Sequence, residues 1–294
     1  MAMPMDERIR VDGQASSAVP VGDRGLAYGD GVFRTVRIDS GRALGWWAHW
    51  QRLQHDCAAL GLGTPVEDEI LVDMQALFGD AEDGVCKIMV TRGSGGRGYM
   101  PPQPAQVRRI VSGHELPAHA RGEPAPLALE RSSIELAIQP RLAGIKHLNR
   151  LEQVLARGEC SARGQADAWM ADANGFVIAT TMRNLFFSNA DGDWYTPRLT
   201  RAGIIGATRQ RLWCALEQAG MRVSERDIRP PDLGRCRAGI ACNSVGGVVA
   251  ISHFDGRELG ESESAAAYAR GLLNDMDTRA NERRERNDKA GSSD

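Results

Sequence analysis

Lysine is rare in this chain, and each lysine is therefore a candidate for chemistry that arginine cannot perform. Of the 36 Lys and Arg residues, only Lys87, Lys146 and Lys289 are lysines. A lysine can lose its proton and act as a nucleophilic amine, whereas an arginine stays charged. Lys146 lies beside apolar Ile145 and Leu148 and precedes a predicted helix, a setting that favours the neutral amine. On local context alone, a surface lysine near a helix start is an equal alternative.

The other two lysines and the cysteines carry weaker signals. Lys87 lies in an apolar run, residues 85–90, and is predicted to be a strand residue with a solvated or paired tip, while Lys289 lies in a polar tail. The six cysteines form no C-x-x-C pair, and their spacing to the six histidines matches no zinc pattern. We therefore expect buried, reduced thiols and predict no metal site.

Three separated motifs in this sequence resemble those of the fold-type IV pyridoxal-phosphate (PLP) enzymes. Residues 144–155, GIKHLNRLEQVL, resemble the segment that carries the Schiff-base lysine, which here is Lys146. Residues 23–33, DRGLAYGDGVF, resemble the N-terminal signature, and residues 91–99, TRGSGGRGY, resemble a glycine-rich loop. The family includes branched-chain and D-amino acid aminotransferases, but the first and last motifs are most similar to the aminodeoxychorismate lyases. The resemblance runs from about residue 21 to residue 242.

The resemblance implies a fold, a cofactor and a reaction. The fold is α/β (α+β), with two α/β domains, pyridoxal 5'-phosphate at their interface and a homodimer as the usual assembly. The reaction is removal of pyruvate from 4-amino-4-deoxychorismate, which yields 4-aminobenzoate for folate synthesis. In this scheme Lys146 holds the cofactor and then acts as the general base. Thr35 matches a threonine that the lyases have where aminotransferases have glycine, and its hydroxyl could guide the proton; a plain strand residue is the alternative.

Further roles follow from the resemblance position by position. Arg52, in the helix motif HWQRL of residues 49–53, matches the arginine that binds the cofactor phosphate. Further phosphate contacts are predicted at a helix N-terminus and at a strand end, namely Gly206, Ala207, Thr208, Asn243 and Ser244. The residues predicted to bind the two substrate carboxylates are Arg97 and Tyr99, with Tyr28 and Arg92 as weaker candidates.

One position departs from the family pattern. Relatives carry a glutamate that keeps the pyridine nitrogen of the cofactor protonated, and this sequence has Ala179 there. Since a transaminase needs the ring as an electron sink in both halves of its cycle, the loss argues against transamination. A lyase whose product becomes aromatic can tolerate a weaker sink. Two alternatives stay open: an aminotransferase on the same fold, and a PLP-binding protein with impaired catalysis.

The pattern of apolar residues and turn residues predicts the elements that must position these side chains. Helices are predicted over residues 47–60, 66–78, 148–163, 205–219 and 263–276, and strands over 85–92, 107–116 and 134–138 among others. A linker at 117–126 would separate an N-terminal α/β domain, 1–116, from a larger PLP-binding domain, 127–278. Residues 279–294 are predicted to be a disordered polar tail.

Bulk composition excludes several classes of partner. A formal net charge of -2 in 294 residues gives no reason to expect nucleic acid or an anionic membrane. No apolar run reaches the roughly 20 residues that cross a bilayer, and no signal peptide is recognisable, so we expect a cytoplasmic enzyme with a small-molecule substrate.

Overall fold

In the computed structural model the backbone is described for residues 8–291 and the side chains for residues 8–279. Contacts divide the chain into two compact units. The first contains the described residues through Glu123, with Leu136–Leu155 and Leu199–Ala207; the second contains Pro124–Glu135, Ala156–Arg198 and the described residues from Thr208 onward. The prediction of two contiguous domains differs from this division, because the segment that carries Lys146 packs with the N-terminal residues.

The first unit is built on a six-stranded antiparallel sheet. Its strands run in the order β2-β1-β6-β5-β3-β4. Their bounds are β1 (Ile9–Val11), β2 (Gln14–Ala15), β3 (Gly31–Asp39), β4 (Arg42–Ala43), β5 (Gly84–Thr91) and β6 (Arg108–His114). The helices α1 (Arg24–Tyr28), α2 (Trp46–Ala59) and α3 (Glu67–Phe78) complete it.

Strand β3 shows how the two faces of this sheet differ. Its even positions, such as Val32 and Val36, are fully buried in a core with residues of α2 and α3, whereas Phe33, Thr35 and Arg37 on the other face are half-buried. Successive side chains of a strand point to opposite faces, so these odd positions share one face. That half-buried face is the one on which the candidate site is built.

The second unit contains a mixed sheet. Its strands run in the order β12-β11-β10-β13-β14-β7-β8-β9, with β15 paired to β14. Their bounds are β7 (Leu127–Arg131), β8 (Ala168–Ala171), β9 (Val177–Thr180), β10 (Asn184–Ser188), β11 (Trp194–Pro197), β12 (Val223–Arg226), β13 (Ala238–Asn243), β14 (Gly247–Phe254) and β15 (Arg257–Glu258). The remaining helices are α4 (Leu151–Ala162), α5 (Ala207–Gln218) and α6 (Ser262–Gly291). Two apolar cores pack on this sheet, one of which includes residues of α5 and α6.

Three predicted elements differ from the structure. Residues 134–138 form no strand, because the amide of Ala137 donates to the Glu152 carboxylate at 2.8 Å instead of to a neighbouring strand. Helix α4 begins at Leu151, three residues later than predicted. Helix α6 continues to Gly291 through most of the predicted disordered tail, where the sequence has no proline; residues 292–294 lie outside the described residues.

Two further findings concern the cysteines and membrane-spanning helices. All six cysteines are free thiols, and five of them are buried. Within the part of the chain that the structure describes, no helix is long and apolar enough to cross a membrane.

Candidate active site

The backbone of Lys146 is fixed on both sides. Its carbonyl accepts a hydrogen bond from the Phe33 amide at 2.9 Å, and its own amide donates to Oδ2 of Asp56 at 2.9 Å. Two residues later, the Leu148 amide donates to the Gly31 carbonyl at 3.0 Å. The lysine segment therefore lies along the start of β3 like a short additional strand.

This pairing joins two of the sequence motifs. Gly29, in the N-terminal motif, has a positive φ of 65°, and the side chain of Asn149 donates to its carbonyl at 3.2 Å. A Cβ atom at position 29 would lie 2.4 Å from the Asn149 side-chain oxygen. Only glycine fits this approach, which explains the glycine in that motif.

The Lys146 amine lies against an aromatic ring on the half-buried face of the sheet. Its Nζ is 4.2 Å from the centroid of the Phe33 ring, and Nζ of Lys87 is 5.5 Å from the same centroid. Thr35 is the register partner of Lys87 in the β3–β5 pair and shares the face of Phe33. The structure thus brings Lys146, Thr35 and Lys87 to one face of the sheet.

The protonation of Lys146 is shifted strongly by these surroundings. Burial, the largest cause, and the nearby cations of Arg34, Arg150 and Lys87 together lower the pKa of its amine to about 7, although Asp56 opposes them. A lysine with its usual pKa, near 10.5, is almost wholly protonated at neutral pH. Here about half of the amine is unprotonated near pH 7, which is the form that can attack a carbonyl or accept a proton.

Helix α2 brings a buried arginine to the lysine segment. Arg52 lies on the buried side of the helix and donates through Nη2 to Asp56 at 3.0 Å and to the Gly144 carbonyl at 3.1 Å. The same carbonyl accepts the Ile205 amide at 3.0 Å, two residues before α5 begins at Ala207. The predicted phosphate contacts Arg52, Gly206 and Ala207 thus belong to one hydrogen-bonded neighbourhood in the first unit.

In the second unit, two predicted phosphate contacts also meet. The hydroxyls of Thr208 and Ser244 lie 3.1 Å apart. Asn243 has a local role, because its side-chain oxygen accepts the amides of Val245 at 3.1 Å and Gly246 at 2.7 Å and so shapes the turn after β13. Thr208 and Ser244 offer hydroxyls to an anion, while the Asn243 side chain is engaged in the turn.

Ala179 lies on β9, half-buried and paired with Met170 of β8. The buried carboxylate of this region is Asp167, which accepts hydrogen bonds from the Thr181 hydroxyl at 2.6 Å and from Arg183 at 2.8 Å. Both Asp167 and Arg183 are buried, so they form a structural ion pair. The carboxylate of Asp167 is held in place by these partners.

The predicted substrate-binding loop is held by an arginine that the sequence did not single out. Buried Arg24 donates to the carbonyls of Gly98 and Tyr99, both at 3.0 Å, and its guanidinium lies 4.8 Å from the Tyr28 ring centroid. The rings of Tyr28 and Tyr99 lie 5.4 Å apart. Arg97, in the same loop, is exposed. Tyr28, Tyr99 and Arg97 are therefore neighbours at an accessible surface of the first unit.

The guanidinium of Arg92 is held in the interior of the first unit. It donates to Asp30 at 2.8 Å and to the carbonyls of Leu60 and Gly61 at 2.7 and 2.8 Å. These bonds tie the segment after α2 to the end of β5. Arg92 is thus a brace of the fold, and its contact with substrate stays a prediction.

Sequence reasoning missed three charged residues of this region, Arg24, Arg34 and Asp56, and it predicted Lys87 only as a strand residue with a solvated or paired tip. Arg34 and Asp56 carried a usable signal, because each places a charge at an otherwise apolar, periodic position, one on a strand and one on a helix. Lys87 carried another, because it is one of three lysines. Among the described residues, no group of His, Cys, Asp or Glu side chains is arranged to hold a metal ion.

Comparison with known proteins was made on sequence and on structure. The amino-transferase class IV family matches residues 31–254. An aminodeoxychorismate lyase from Vibrio harveyi is 35% identical over 250 residues, which cover 84% of this chain and 92% of the relative. The crystal structure of 4-amino-4-deoxychorismate lyase from Pseudomonas aeruginosa superposes with a TM-score of 0.81 at 36% identity, covering 91% of this chain and 98% of that chain.

A more distant structure is similar in fold alone. The PLP-bound form of a hypothetical aminotransferase from Mycobacterium tuberculosis has a TM-score of 0.76 at 19% identity, covering 90% of this chain and 94% of that chain. Together these comparisons confirm the predicted fold-type IV architecture.

Proposed function

The chain belongs to the amino-transferase class IV family, and we propose that it is a PLP-dependent lyase that converts 4-amino-4-deoxychorismate into 4-aminobenzoate and pyruvate. Two relatives named aminodeoxychorismate lyase match over nearly their whole length at 35% and 36% identity. The observation that carries the proposal is the state of Lys146: a fixed backbone, an amine 4.2 Å from the Phe33 ring centroid, and a pKa lowered by burial to about 7.

Each unit, taken by itself, offers groups that suit the phosphate of the cofactor. In the first unit Arg52 supplies a cation, and the first amides of α5, after Gly206, supply the N–H groups that helix N-termini offer to anions. In the second unit the paired hydroxyls of Thr208 and Ser244 supply two further hydrogen-bonding groups. At the ring nitrogen the fit is weaker, because Ala179 offers no carboxylate.

When bound, the cofactor withdraws electrons from the carbon that carries the substrate nitrogen. The neutral amine of Lys146 removes the proton from that carbon. The electron pair then breaks the neighbouring bond to the enolpyruvyl oxygen, the ring becomes aromatic, and the enolpyruvate gains a proton to leave as pyruvate. The hydroxyl of Thr35, on the face of Phe33, guides that proton. The two products together contain every atom of the substrate, so the step is balanced.

Recognition of the two substrate carboxylates falls to cationic and phenolic side chains. Arg97 and Tyr99 are exposed beside Tyr28, and an arginine and two phenols suit a carboxylate. Lys87 adds a cation on the face that carries Lys146 and is a further candidate. Following the family resemblance, we also propose a homodimer and a place for the product in folate synthesis.

The test is direct product detection from the full-length holoenzyme. We expect 4-amino-4-deoxychorismate to yield 4-aminobenzoate and pyruvate in equal amounts. The variant Lys146→Ala should lose this activity by at least about 10³-fold, whereas Lys289→Ala, the matched change at another lysine, should retain it. A fully active Lys146→Ala variant, or a wild-type protein that yields neither product, would overturn the proposal.

An aminotransferase on the same fold is the second candidate, and the family name itself supports it. Ala179 disfavours it, because transamination needs a strong electron sink in both half-reactions. Incubation with 2-oxoglutarate and a set of D- and L-amino acids separates the two, since only transamination transfers the amino group to the oxo acid. A protein that binds PLP and does neither reaction would be a binding protein.

A further inference from the structure

A single buried carboxylate connects three parts of the first unit. Asp56, fully buried on α2, accepts a hydrogen bond from Arg52 on its own helix at 3.0 Å and one from the Lys146 amide at 2.9 Å. It also accepts from Arg34 of β3, which is 2% exposed. The half-exposed ring of His55 lies 3.2 Å from Oδ1. The carboxylate thus ties a strand, a helix and the lysine segment to one point.

Arg34 is an unusual residue for its position. Its neighbours on the same face of β3, Val32, Val36 and Ile38, are apolar and buried. A buried guanidinium is costly unless a carboxylate and other acceptors surround it. Arg34 has Asp56 and the Arg52 carbonyl, which accepts from Nη2 at 3.3 Å. The simplest reason to keep such a pair in a core is that its charges or contacts serve the adjacent site.

We propose that Asp56 and Arg34 are positioning residues of the active site: Asp56 fixes the Lys146 backbone and the Arg52 guanidinium together, and Arg34 balances its charge. This inference rests on the proposed function only in taking Lys146 as the catalytic lysine. Neither residue has to touch the substrate. Asp56 sets where the lysine and the arginine stand relative to each other, and the pair sets the electric field at the lysine amine.

The direction in which each charge shifts the pKa of Lys146 can be tested. Burial is the largest cause of the lowered pKa of Lys146, and the charges around the amine adjust it. The cations that lower it come from β3, from the lysine segment and from β5, namely Arg34, Arg150 and Lys87, and the anion that raises it is Asp56 on α2. The other charged or titratable groups of this neighbourhood are Arg52, His55 and His147, and the pKa of His147 is itself lowered to about 4 by burial and by Arg150. Removing Asp56 should therefore lower the pKa of the Lys146 nitrogen, and removing Arg34 should raise it.

The experiment compares Asp56→Asn and Arg34→Met in the full-length holoenzyme. The readout is the pH midpoint of the visible absorption of the bound cofactor, which reports protonation at the Lys146 nitrogen. We expect Asp56→Asn to lower the midpoint and Arg34→Met to raise it, each by about one pH unit. Asp56→Asn should also weaken PLP binding, because the Arg52 guanidinium loses a bond that holds it in position.

A second readout needs no cofactor. Competitive acetylation with acetic anhydride across a pH series, followed by peptide mass analysis, gives the titration of each lysine of the full-length, cofactor-free chain, and only three lysines have to be resolved. The midpoint of Lys146 should move in the same two directions, while the midpoint of Lys289 should not move.

The matched control is Asp73→Asn. Asp73 is a buried carboxylate of the same unit, 1% exposed on α3, and it accepts hydrogen bonds from Arg10 at 2.8 Å and from Arg109 at 2.7 Å. Its loss should lower the melting temperature, as the loss of Asp56 should, but it should leave the Lys146 midpoint unchanged. A change of midpoint in this control equal to that in Asp56→Asn would mean that only general destabilisation was measured.

A single change leaves a buried charge without its counterion and can unfold the chain, so a double variant keeps the inference testable. Arg34→Met with Asp56→Asn removes one charge of each sign and retains an acceptor at position 56. We expect it to fold and to titrate within a few tenths of a pH unit of the wild type. Midpoints that move in the same direction in both single variants, or a double variant far from the wild type, would overturn the inference. A wild-type enzyme that forms no product, with the midpoints moving as expected in the variants, would instead refute the proposed function.

Discussion

Lys146 and Lys87 direct their amines at one aromatic ring, that of Phe33, with Nζ atoms 4.2 and 5.5 Å from its centroid. They lie 59 positions apart in sequence, in a chain that otherwise uses arginine for 33 of its 36 cations. Two like charges on one ring disfavour simultaneous protonation. Burial lowers the pKa of the Lys146 amine, and the nearby cations of Arg34, Arg150 and Lys87 lower it as well.

Replacing Lys87 should change the pH dependence of catalysis. After burial, the main cause, nearby cations help to lower the pKa of Lys146, and Lys87 is one of them. Lys87→Met should therefore raise that pKa by less than about one unit and move the acidic limb of the kcat/KM profile to higher pH. Lys87→Arg keeps the charge and should keep the limb. Equal pH profiles of kcat/KM for the Lys87→Met variant and the wild type would show that Lys87 does not act on Lys146.

The hydroxyl of Thr35 can be removed while the shape of the side chain is kept. Thr35→Val keeps the β-branch that suits β3 and should lower kcat by about 10²-fold, with little change in melting temperature. Thr35→Ser keeps the hydroxyl and should retain most of the activity. If the valine and serine variants were equally active, Thr35 would be a strand residue without a part in proton transfer.

Replacing Arg92 should affect the free energy of unfolding, whereas replacing Arg97 should affect KM. Arg92→Met breaks a buried contact with Asp30 and leaves two carbonyls without a donor, so it should lower the free energy of unfolding by about 3 kcal/mol. Arg97→Met removes an exposed side chain and should raise KM at unchanged stability. Urea unfolding and steady-state kinetics on the same preparations check both. A stable Arg92→Met enzyme with a raised KM would reverse the roles.

Restoring the acid at position 179 should favour transamination. Ala179 is half-buried on β9, so a glutamate can be accommodated at its solvent side. We expect Ala179→Glu to fold normally and to increase amino-group transfer from amino acids to 2-oxoglutarate. Ala179→Gln, of equal size and without a charge, is the control. Equal transfer rates in these two variants would mean that the carboxylate is not what the site lacks.

The lowered pKa of Lys146 should cost stability in the cofactor-free protein. The unfolded lysine binds its proton up to about pH 10.5, and the folded lysine only up to about pH 7, so the cost is full below pH 7 and fades as the pH rises between these values. Lys146→Met should therefore be more stable than the wild type at pH 6.5, and the difference should shrink by pH 9.5. A difference that grew with pH would contradict the assignment.

The sequence predicted the chemistry of this protein better than its organisation. The scarcity of lysine indicated Lys146, and three motifs resembling the fold-type IV enzymes indicated the fold that the comparisons confirm. Elements with clear periodicity, such as α2 and α3, were predicted close to their observed bounds. Strand β14 was not predicted, because its centre, from Val248 to Ile251, is buried on both faces and shows no alternation.

Motif matching cannot say which arginine is available for binding. Arg92 and Arg97 belong to the same motif, yet one donates to Asp30 and two carbonyls in the interior while the other is exposed. The residue types are alike, and only the position of the segment after α2 decides between them. Asp30 and the two carbonyls come from positions outside the motif and reach Arg92 only when the chain is folded.

By itself, the sequence determined that a single lysine in a glycine-led segment could serve as a nucleophile, and which family of folds would carry it. The tertiary structure decided that this lysine rests against Phe33, that Asp56 holds its backbone, and that its amine is neutral enough to react. The physical reason is that a pKa depends on burial and on charges within a few ångströms. Those neighbours come from β3, α2 and β5, and only folding brings them together.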